Sequence, residues 1–239
     1  MKQSYRNFVM GVLVGIIVVS VSGGVMLLSR QPSEPVAKES DDRPSHEEQA
    51  PVDVPFATAD DHIRGSLDAL VYIIEYSDLE CPYCKQNHQT LQALKDEYGD
   101  KVAWVFRHFP LPSLHPKALA EAEAAECVGE LGGNDAFWKF VDNVFEVTPG
   151  NNGLDFALVP DLAKEAGVLA DEFQECWDSG RHRSTVEEHY TQAASAGADG
   201  TPYNVIIFQE GDVRVPLPGA YPKETFKDVI ERMLEGESL

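Results

Sequence analysis

Basic residues and cysteines are both scarce in this chain of 239 residues. Lys and Arg total 19 against 40 Asp and Glu, which gives a formal charge of −21 at pH 7. Because a nucleic-acid-binding surface is normally basic, this balance argues against a nucleic-acid partner. Four cysteines are too few for a disulfide-built mini-protein, and a hydrophobic content of 43% allows an ordinary core. Any cysteine pairing is therefore local chemistry rather than the scaffold.

The first 30 residues contain no acidic side chain. Residues 8–28 are an uncharged run of 21, which at about 1.5 Å per residue can cross a hydrocarbon core of about 30 Å as a helix. Because the apolar region of a cleavable signal usually has about 7 to 15 residues, we expect residues 1–30 to be an uncleaved transmembrane signal anchor. A cleaved signal and a secreted protein are the alternative. Lys2 and Arg6 predict a cytoplasmic amino terminus and an extracytoplasmic remainder, in the periplasm or at the cell exterior.

Residues 31–57 are rich in Pro, Ser and acidic residues and have almost no large apolar side chain. Such a segment cannot bury enough surface to offset its ordering entropy. We therefore expect a disordered acidic linker that leads to a folded domain at residues 58–239.

Hydrophobic patterns predict an α/β fold for this domain. Residues 69–76 are a continuous apolar, β-branched and aromatic run, typical of a strand covered on both faces. A helical stripe that ends at Gly99 follows, and residues 102–106 predict a second strand, so the three form a βαβ unit with a parallel pair. The patterns then predict helices at 119–131, 137–145, 169–177 and about 184–194, strands at 203–208 and 213–215, and a last helix over 226–234. The domain is therefore α/β with a helical insertion at about residues 114–196.

Cys81-Pro82-Tyr83-Cys84 follows the first predicted strand and begins the first predicted helix. A thiol at a helix amino terminus faces unsatisfied backbone N–H groups and the positive end of the helix dipole, which stabilise its thiolate. Cys81, nearest the end, is the expected nucleophile. Cys84, one turn further, is the expected buried resolving thiol that closes the disulfide.

A Cys-x-x-Cys pair can also be half of a zinc site, so a thiolate metal-binding module is an alternative. The chain has one close-spaced pair only, and Cys127 and Cys176 lie on separate predicted helices. His108 and His115 form no His-x-x-x-His pair. We therefore assign no metal ligands. A third class, a binding or chaperone module, predicts that activity does not depend on Cys81.

Three motifs together resemble the DsbA-like thiol-disulfide oxidoreductases of the thioredoxin superfamily: residues 76–85 (Tyr-Ser-Asp-Leu-Glu-Cys-Pro-Tyr-Cys-Lys), residues 107–111 (Arg-His-Phe-Pro-Leu) and Gly200-Thr201-Pro202. The resemblance covers the chain from about residue 60 to the carboxyl terminus. It implies a thioredoxin fold with an inserted helical domain and a cis proline that faces the two cysteines. By position that proline is Pro202, with Thr201 before it, and the loop would bind an extended substrate.

The resemblance also implies a function. It implies an extracytoplasmic enzyme that introduces disulfides into exported proteins through its own redox-active disulfide, with no separate cofactor. The implied partners are exported protein thiols and a membrane redox protein, similar to DsbB or to vitamin K epoxide reductase, that reoxidises the enzyme. A disulfide reductase or isomerase of the same fold is the alternative.

Cys127 and Cys176 each lie on an apolar stripe of a predicted helix. Buried free cysteines are common, so two separate core thiols are one interpretation. For a domain exported to an oxidising compartment we expect instead that they form a structural disulfide.

Three residues next to the predicted site, Asp78, Glu80 and Tyr203, have charged or bulky side chains that could act on it. Glu80 and Asp78 precede Cys81, and could raise the pKa of that thiol or carry a proton to Cys84; the alternative is that both are solvated charges. Bulky Tyr203 follows Pro202, where many relatives have a small residue, and is expected to affect substrate fit.

Overall fold

The computed structural model describes residues 52–236. The predicted anchor at 1–30 and residues 31–51 of the predicted linker lie outside the described residues. Within the described part, no helix combines the length and the apolar character needed to cross a membrane.

The folded domain begins earlier than residue 58. Val54 is fully buried and packs in the core on one side of the sheet. The buried guanidinium of Arg107 donates hydrogen bonds to the carbonyl oxygens of Pro55 and Phe56 at 3.1 and 3.3 Å. A buried arginine needs acceptors for its five N–H groups, and this backbone supplies two of them, so the end of the predicted linker is part of the domain.

A five-stranded sheet forms the centre of the domain, in the order β1-β3-β2-β4-β5. β2 and β3 are parallel, and the other pairs are antiparallel. The strands are β1 (His62–Arg64), β2 (Val71–Ser77), β3 (Val102–His108), β4 (Tyr203–Phe208) and β5 (Val213–Pro218). The predicted βαβ unit is confirmed. β1 was not predicted, because three half-buried residues carry no recognisable pattern.

Six α-helices of residues 52–236 cover the sheet and build the insertion: α1 (Pro82–Tyr98), α2 (Ala118–Val147), α3 (Val159–Glu165), α4 (Ala170–Ser179), α5 (Arg183–Ser195) and α6 (Lys223–Glu235). The two helices predicted at 119–131 and 137–145 are confirmed, since α2 consists of two helices that meet at a kink at Gly133, whose φ of +78° is not helical. α3 was not predicted, since seven residues are too few for a clear helical stripe. The α/β fold with a helical insertion is confirmed.

Alternation along the strands separates two cores and decides where the cysteine pair lies. Val71 and Ile73 of β2 face a large core that contains Cys84 and residues of α1, α2 and α6. Tyr72 and Ile74 face a smaller core on the other side, where α5 packs. Because side chains alternate with a period of two, the odd-numbered residues of β2 point to the side of α1.

A disulfide joins Cys127 of α2 to Cys176 of α4, with 5.8 Å between their Cα atoms. Both sulfurs belong to the large core. The bond closes a loop with a sequence separation of 49 residues. In the chain-entropy model such a loop stabilises the fold by about 4 kcal/mol.

Candidate active site

The two free cysteines lie at the start of α1, a few residues after the end of β2. Cys81 is the N-cap residue of α1, and Pro82 occupies the first turn, where its missing N–H costs no helical hydrogen bond. Both cysteines are free thiols. Cys81 is 6% exposed, whereas Cys84, one turn into the helix, is completely buried.

The surroundings of the two cysteines shift their pKa values in opposite directions. A hydrogen bond from the Cys84 thiol lowers the pKa of Cys81 to about 6, with help from the backbone N–H groups of Tyr83 and Cys84 and against the effect of burial. Burial raises the pKa of Cys84 well above its usual value of 9.0. At pH 7 most Cys81 is therefore ionised while Cys84 keeps its proton. This is the difference that a nucleophile and a resolving thiol require.

The Pro202 loop faces Cys81. The Thr201–Pro202 peptide bond is cis, and Cys81 Sγ lies 3.5 Å from the carbonyl oxygen of Thr201. The Pro202 carbonyl is engaged, because it accepts a hydrogen bond from the N–H of Gly219 at 2.8 Å. The Thr201 carbonyl is therefore the group of this loop that contacts Cys81.

The side chain of Tyr203 lies away from the cysteine pair. Its side chain is 4% exposed and packs in the smaller core, on the side of the sheet away from Cys84. Its hydroxyl donates to the Ala196 carbonyl at 2.7 Å. The alternation along β4 turns the ring of Tyr203 away from the cysteines.

Asp78 is buried and organises the loop before Cys81, so it is not a solvated charge. Its Oδ2 accepts hydrogen bonds from Leu111 N at 2.8 Å and from His115 Nδ1 at 2.9 Å. Its Oδ1 accepts from Glu80 N at 2.8 Å. This carboxylate therefore ties the loop after β3 to the loop that carries Cys81.

Glu80 is also fully buried, and it holds a loop of the helical insertion against the site. Its carboxylate accepts hydrogen bonds from Gly153 N at 3.1 Å and Leu154 N at 3.3 Å, and its carbonyl accepts from Asn151 N at 2.7 Å. Glu121 interacts with Glu80, and burial together with the carboxylates of Glu80 and Asp78 raises the pKa of Glu121 to about 9. Glu121 is thus neutral at pH 7.

Glu75 is an acid of the site that the sequence reasoning missed. It lies on β2, on the side of α1, and is completely buried. Burial raises its pKa, and its charge in turn raises the pKa of Cys84. The signal was present in the sequence: one acid stands in an otherwise apolar strand, six residues before Cys81.

Lys85 and His108 are two further residues of the sequence motifs. The Lys85 ammonium donates to the carbonyls of Glu146 and Thr148 at the carboxyl end of α2, at 3.2 and 2.9 Å, so it attaches the insertion to α1. His108 is buried, and its Nε2 lies 2.9 Å from Glu126 Oε1. Neither side chain contacts the cysteine pair in these bonds.

One group of side chains within residues 52–236 has the spacing of a metal site: Cys127, Cys176 and His182. It does not include Cys81 or Cys84. Its two sulfurs are joined in the disulfide, which leaves no thiolate to bind a metal. The metal-binding alternative therefore gains no support at the cysteine pair.

The chain is similar to a known protein family and to several solved structures. A family model described as Thioredoxin matches residues 57–213. Among solved structures, Pseudomonas aeruginosa DsbA2 is 29% identical with a TM-score of 0.63, and the match covers 74% of this chain and 96% of that one. Oxidised BdbD from Bacillus subtilis is 23% identical with a TM-score of 0.63, over 74% of this chain and 94% of that one. At that lower identity the likeness concerns the fold alone.

Curated relatives include Na(+)/H(+) antiporters named NhaA. The protein from Herminiimonas arsenicoxydans is 32% identical over 176 residues, which are 74% of this chain and 26% of the antiporter. NhaA 1 from Salinispora arenicola is 32% identical over 153 residues, 62% of this chain and 22% of that protein. The chain therefore spans about a quarter of the length of these relatives.

Proposed function

This chain belongs to the thioredoxin family and is DsbA-like in fold, and from that premise we propose that it is a protein thiol-disulfide oxidoreductase whose redox pair is Cys81 and Cys84. The observation that carries the proposal is that the site lowers the pKa of one thiol and raises the pKa of the other. Cys81 has a pKa of about 6 at the start of α1, while Cys84 is buried with a raised pKa. The antiporter name belongs to proteins of which the matched residues cover only 26%.

The reaction is a two-electron exchange. A substrate thiolate attacks the sulfur of Cys81 in the oxidised enzyme, the Cys81–Cys84 bond breaks, and Cys84 leaves with the electron pair and takes up a proton. A second substrate thiolate attacks the substrate sulfur of the mixed disulfide and expels Cys81 as a thiolate. The substrate gains a disulfide, and the enzyme becomes the dithiol.

The low pKa of Cys81 favours the oxidising direction. A thiol that is ionised at pH 7 is stabilised in the reduced enzyme and is a good leaving group from a mixed disulfide. Both effects move electrons from substrate to enzyme. A reductase or isomerase of the same fold is the second candidate, and the reduction potential separates it from the oxidase.

Glu75 is the group that takes the proton of Cys84 in this scheme. A fully buried thiol has no water to receive its proton, and the carboxylate of Glu75 is near enough for its charge to act on Cys84. When the reduced enzyme is reoxidised, Cys84 must lose a proton before its sulfur attacks Cys81. Moving that proton to a neighbouring carboxylate removes the cost of forming two buried anions.

Substrate contacts are assigned to the surface around Cys81. Thr201 and Pro202 would lie along an extended substrate. Tyr83 presents a ring that is 66% exposed, next to the nucleophile. Pro82 and Glu80 have structural roles in the proposed site. Pro82 begins α1, and the carboxylate of Glu80 holds the loop at residues 151–154 by hydrogen bonds.

The proposed location is extracytoplasmic, with residues 1–30 as a membrane anchor. The support is the uncharged run of 21 residues at 8–28 and the basic residues before it. The proposed partners are the thiols of exported proteins and a membrane redox protein, DsbB-like or similar to vitamin K epoxide reductase, that reoxidises the dithiol.

The reduction potential of the Cys81/Cys84 pair tests the proposal. We expect a value more oxidising than the thioredoxin potential of about −270 mV, measured by equilibration with glutathione and mass analysis of alkylated thiols. Cys81→Ser should abolish disulfide transfer to a reduced peptide, and Cys84→Ser should accumulate the mixed disulfide. A potential at the thioredoxin value would support the reductase, and unchanged transfer by Cys81→Ser would reject the redox function.

A further inference from the structure

Two buried amide side chains, which have no part in the proposed reaction, are hydrogen-bonded to each other and to Glu75. Asn87 of α1 and Asn204 of β4 are both fully buried. Asn87 Nδ2 donates to Glu75 Oε1 at 3.0 Å and to Asn204 Oδ1 at 3.0 Å. Buried amides that have no water must find partners in each other, so the orientations of the two side chains depend on one another.

Backbone carbonyls determine which way Asn204 faces. Its Nδ2 donates to the carbonyls of Leu217 and Gly219 at 3.3 and 3.2 Å. A carbonyl oxygen can only accept, so the nitrogen of Asn204 must face these two groups and its oxygen must face Asn87. Gly219 also donates its N–H to Pro202 O at 2.8 Å. The orientation of Asn204 is therefore tied to the Pro202 loop.

The orientation of Asn87 follows from that of Asn204. Because the oxygen of Asn204 faces it, Asn87 must present its nitrogen, and the same nitrogen reaches Glu75. The contact from Asn204 Nδ2 back to Asn87 Oδ1, at 3.4 Å, is the longer of the two between these side chains. Asn87 thus offers Glu75 a donor and not an acceptor.

The other partners of Glu75 complete a site built for a carboxylate. Trp104 Nε1, which can only donate, lies 3.0 Å from Oε2, and Ser77 Oγ lies 3.1 Å from Oε1. Ser77 can turn its hydroxyl to accept from a protonated Glu75, but an indole N–H cannot. The titratable side chains whose charge interacts with that of Glu75 are Cys84 and His88, both on α1.

We propose that Asn204 and Asn87 are a pair of positioning residues, in which Asn204 holds the amide of Asn87 with its N–H toward Glu75 and so keeps Glu75 ready to accept the proton of Cys84. This inference rests on the proposed function, where Cys84 is the resolving thiol. In the reoxidation step Cys81 is bonded to a sulfur of the redox partner's former disulfide. The Cys84 S–H bond breaks and Glu75 gains the proton. The Cys84 sulfur bonds to Cys81, and the partner sulfur leaves as a thiolate with the electron pair.

Infrared titration of the reduced full chain tests the pair directly. The carboxylic acid C=O band that is lost in Glu75→Gln reports the protonation of Glu75. Asn87→Leu and Asn204→Ala should each move the midpoint of this band upward by about one pH unit, because a hydrogen bond to the charged form is lost. Asn204 lies opposite Glu75 on the neighbouring strand, but its side-chain hydrogen bonds go to Asn87, Leu217 and Gly219, so the double variant should shift the midpoint no further than Asn87→Leu alone.

Ile206→Val is the matched control, since Ile206 is a buried core residue of β4, two positions beyond Asn204. It should leave the Glu75 midpoint unchanged, although it also removes buried volume. The pH midpoint for formation of the Cys81–Cys84 bond from a Cys81 mixed disulfide should rise with that of Glu75 in both Asn variants. A Glu75 midpoint that does not move in Asn87→Leu, or that moves equally in Ile206→Val, would overturn the inference.

The unmutated protein provides a second measurement, in case Asn204→Ala does not fold. The side-chain amide resonances of Asn87 and Asn204 should titrate with the same midpoint as the Glu75 carboxyl. An Asn204 resonance that does not follow Glu75 overturns the pair. Protonation of Glu75 is read whether or not the protein turns over substrate, so coupled amides in a protein without disulfide transfer would reject the proposed function alone.

Discussion

The backbone N–H of Asp78 points at the sulfur of Cys84, with 3.4 Å between nitrogen and sulfur. This hydrogen bond favours the Cys84 thiolate, against the burial that raises the pKa of the thiol. The carboxylate of the same residue holds Leu111 and His115. One residue therefore links the buried thiol to the loop after β3, and the position of that thiol depends on a network of buried polar groups.

The ionisation of Cys81 should depend on Cys84. Cys84→Ala removes the hydrogen bond that contributes most to the low pKa of Cys81, so that pKa should rise from about 6 toward the usual 9.0. The thiolate absorbance near the ultraviolet edge, followed from pH 4 to 10, measures the change. Cys127 and Cys176 form a disulfide and contribute no thiolate signal. An unchanged midpoint would show that other groups set the pKa of Cys81.

Glu80 should stabilise the fold through the loop that it holds. Glu80→Ala leaves the N–H groups of Gly153 and Leu154 without their acceptors, which should lower the free energy of unfolding by about 2 to 4 kcal/mol. Urea denaturation measures it. Glu210→Ala, at an exposed acid in the turn before β5, is the control and should change stability by less than about 0.5 kcal/mol. Equal effects of the two substitutions would refute a specific role for Glu80.

The Cys127–Cys176 disulfide should affect stability and not redox chemistry. Replacing both cysteines with Ala should lower the free energy of unfolding by about 4 kcal/mol in the chain-entropy model, since a sequence separation of 49 residues becomes unconstrained. The potential of the Cys81/Cys84 pair should stay the same. Denaturation and glutathione equilibration on one preparation measure both quantities. A shifted potential would assign this bond a part in the reaction.

His189 should make the protein sensitive to acid. Burial, followed by the charge of His108, lowers the pKa of His189 to about 4, and its Nδ1 accepts a hydrogen bond from His108 N at 3.3 Å. Since the pKa is below the unfolded value of about 6.5, its contribution is complete above pH 6.5 and is lost as the pH falls toward 4. The loss should be about 3 kcal/mol.

Denaturation by urea between pH 4 and 7.5 tests this acid sensitivity. His189→Asn keeps an acceptor for His108 N near the position of Nδ1 but cannot titrate, so its stability should fall less steeply over this range. The same slope in the variant and in the unmutated protein would assign the acid sensitivity to other groups.

Much of the fold could be predicted because its signals are local. The apolar run before Cys81 predicts a buried strand, and the stripe that ends at Gly99 predicts α1 within a few residues. Both patterns follow from the exclusion of water on a fixed side of a regular element. β1 and α3 could not be predicted, because they are short and owe their form to packing against the rest of the domain.

The amino acid sequence by itself determined the cysteine spacing, the order of the elements and the resemblance carried by three motifs. Only the tertiary structure decided that the charge of Glu75 acts on Cys84, that Asp78 and Glu80 are buried, and that Tyr203 faces away from the cysteines. It also brought Asn87 and Asn204, 117 positions apart in the chain, within 3.0 Å. Contacts between distant segments depend on how the sheet and helices pack, and the acidity of a buried group depends on those contacts.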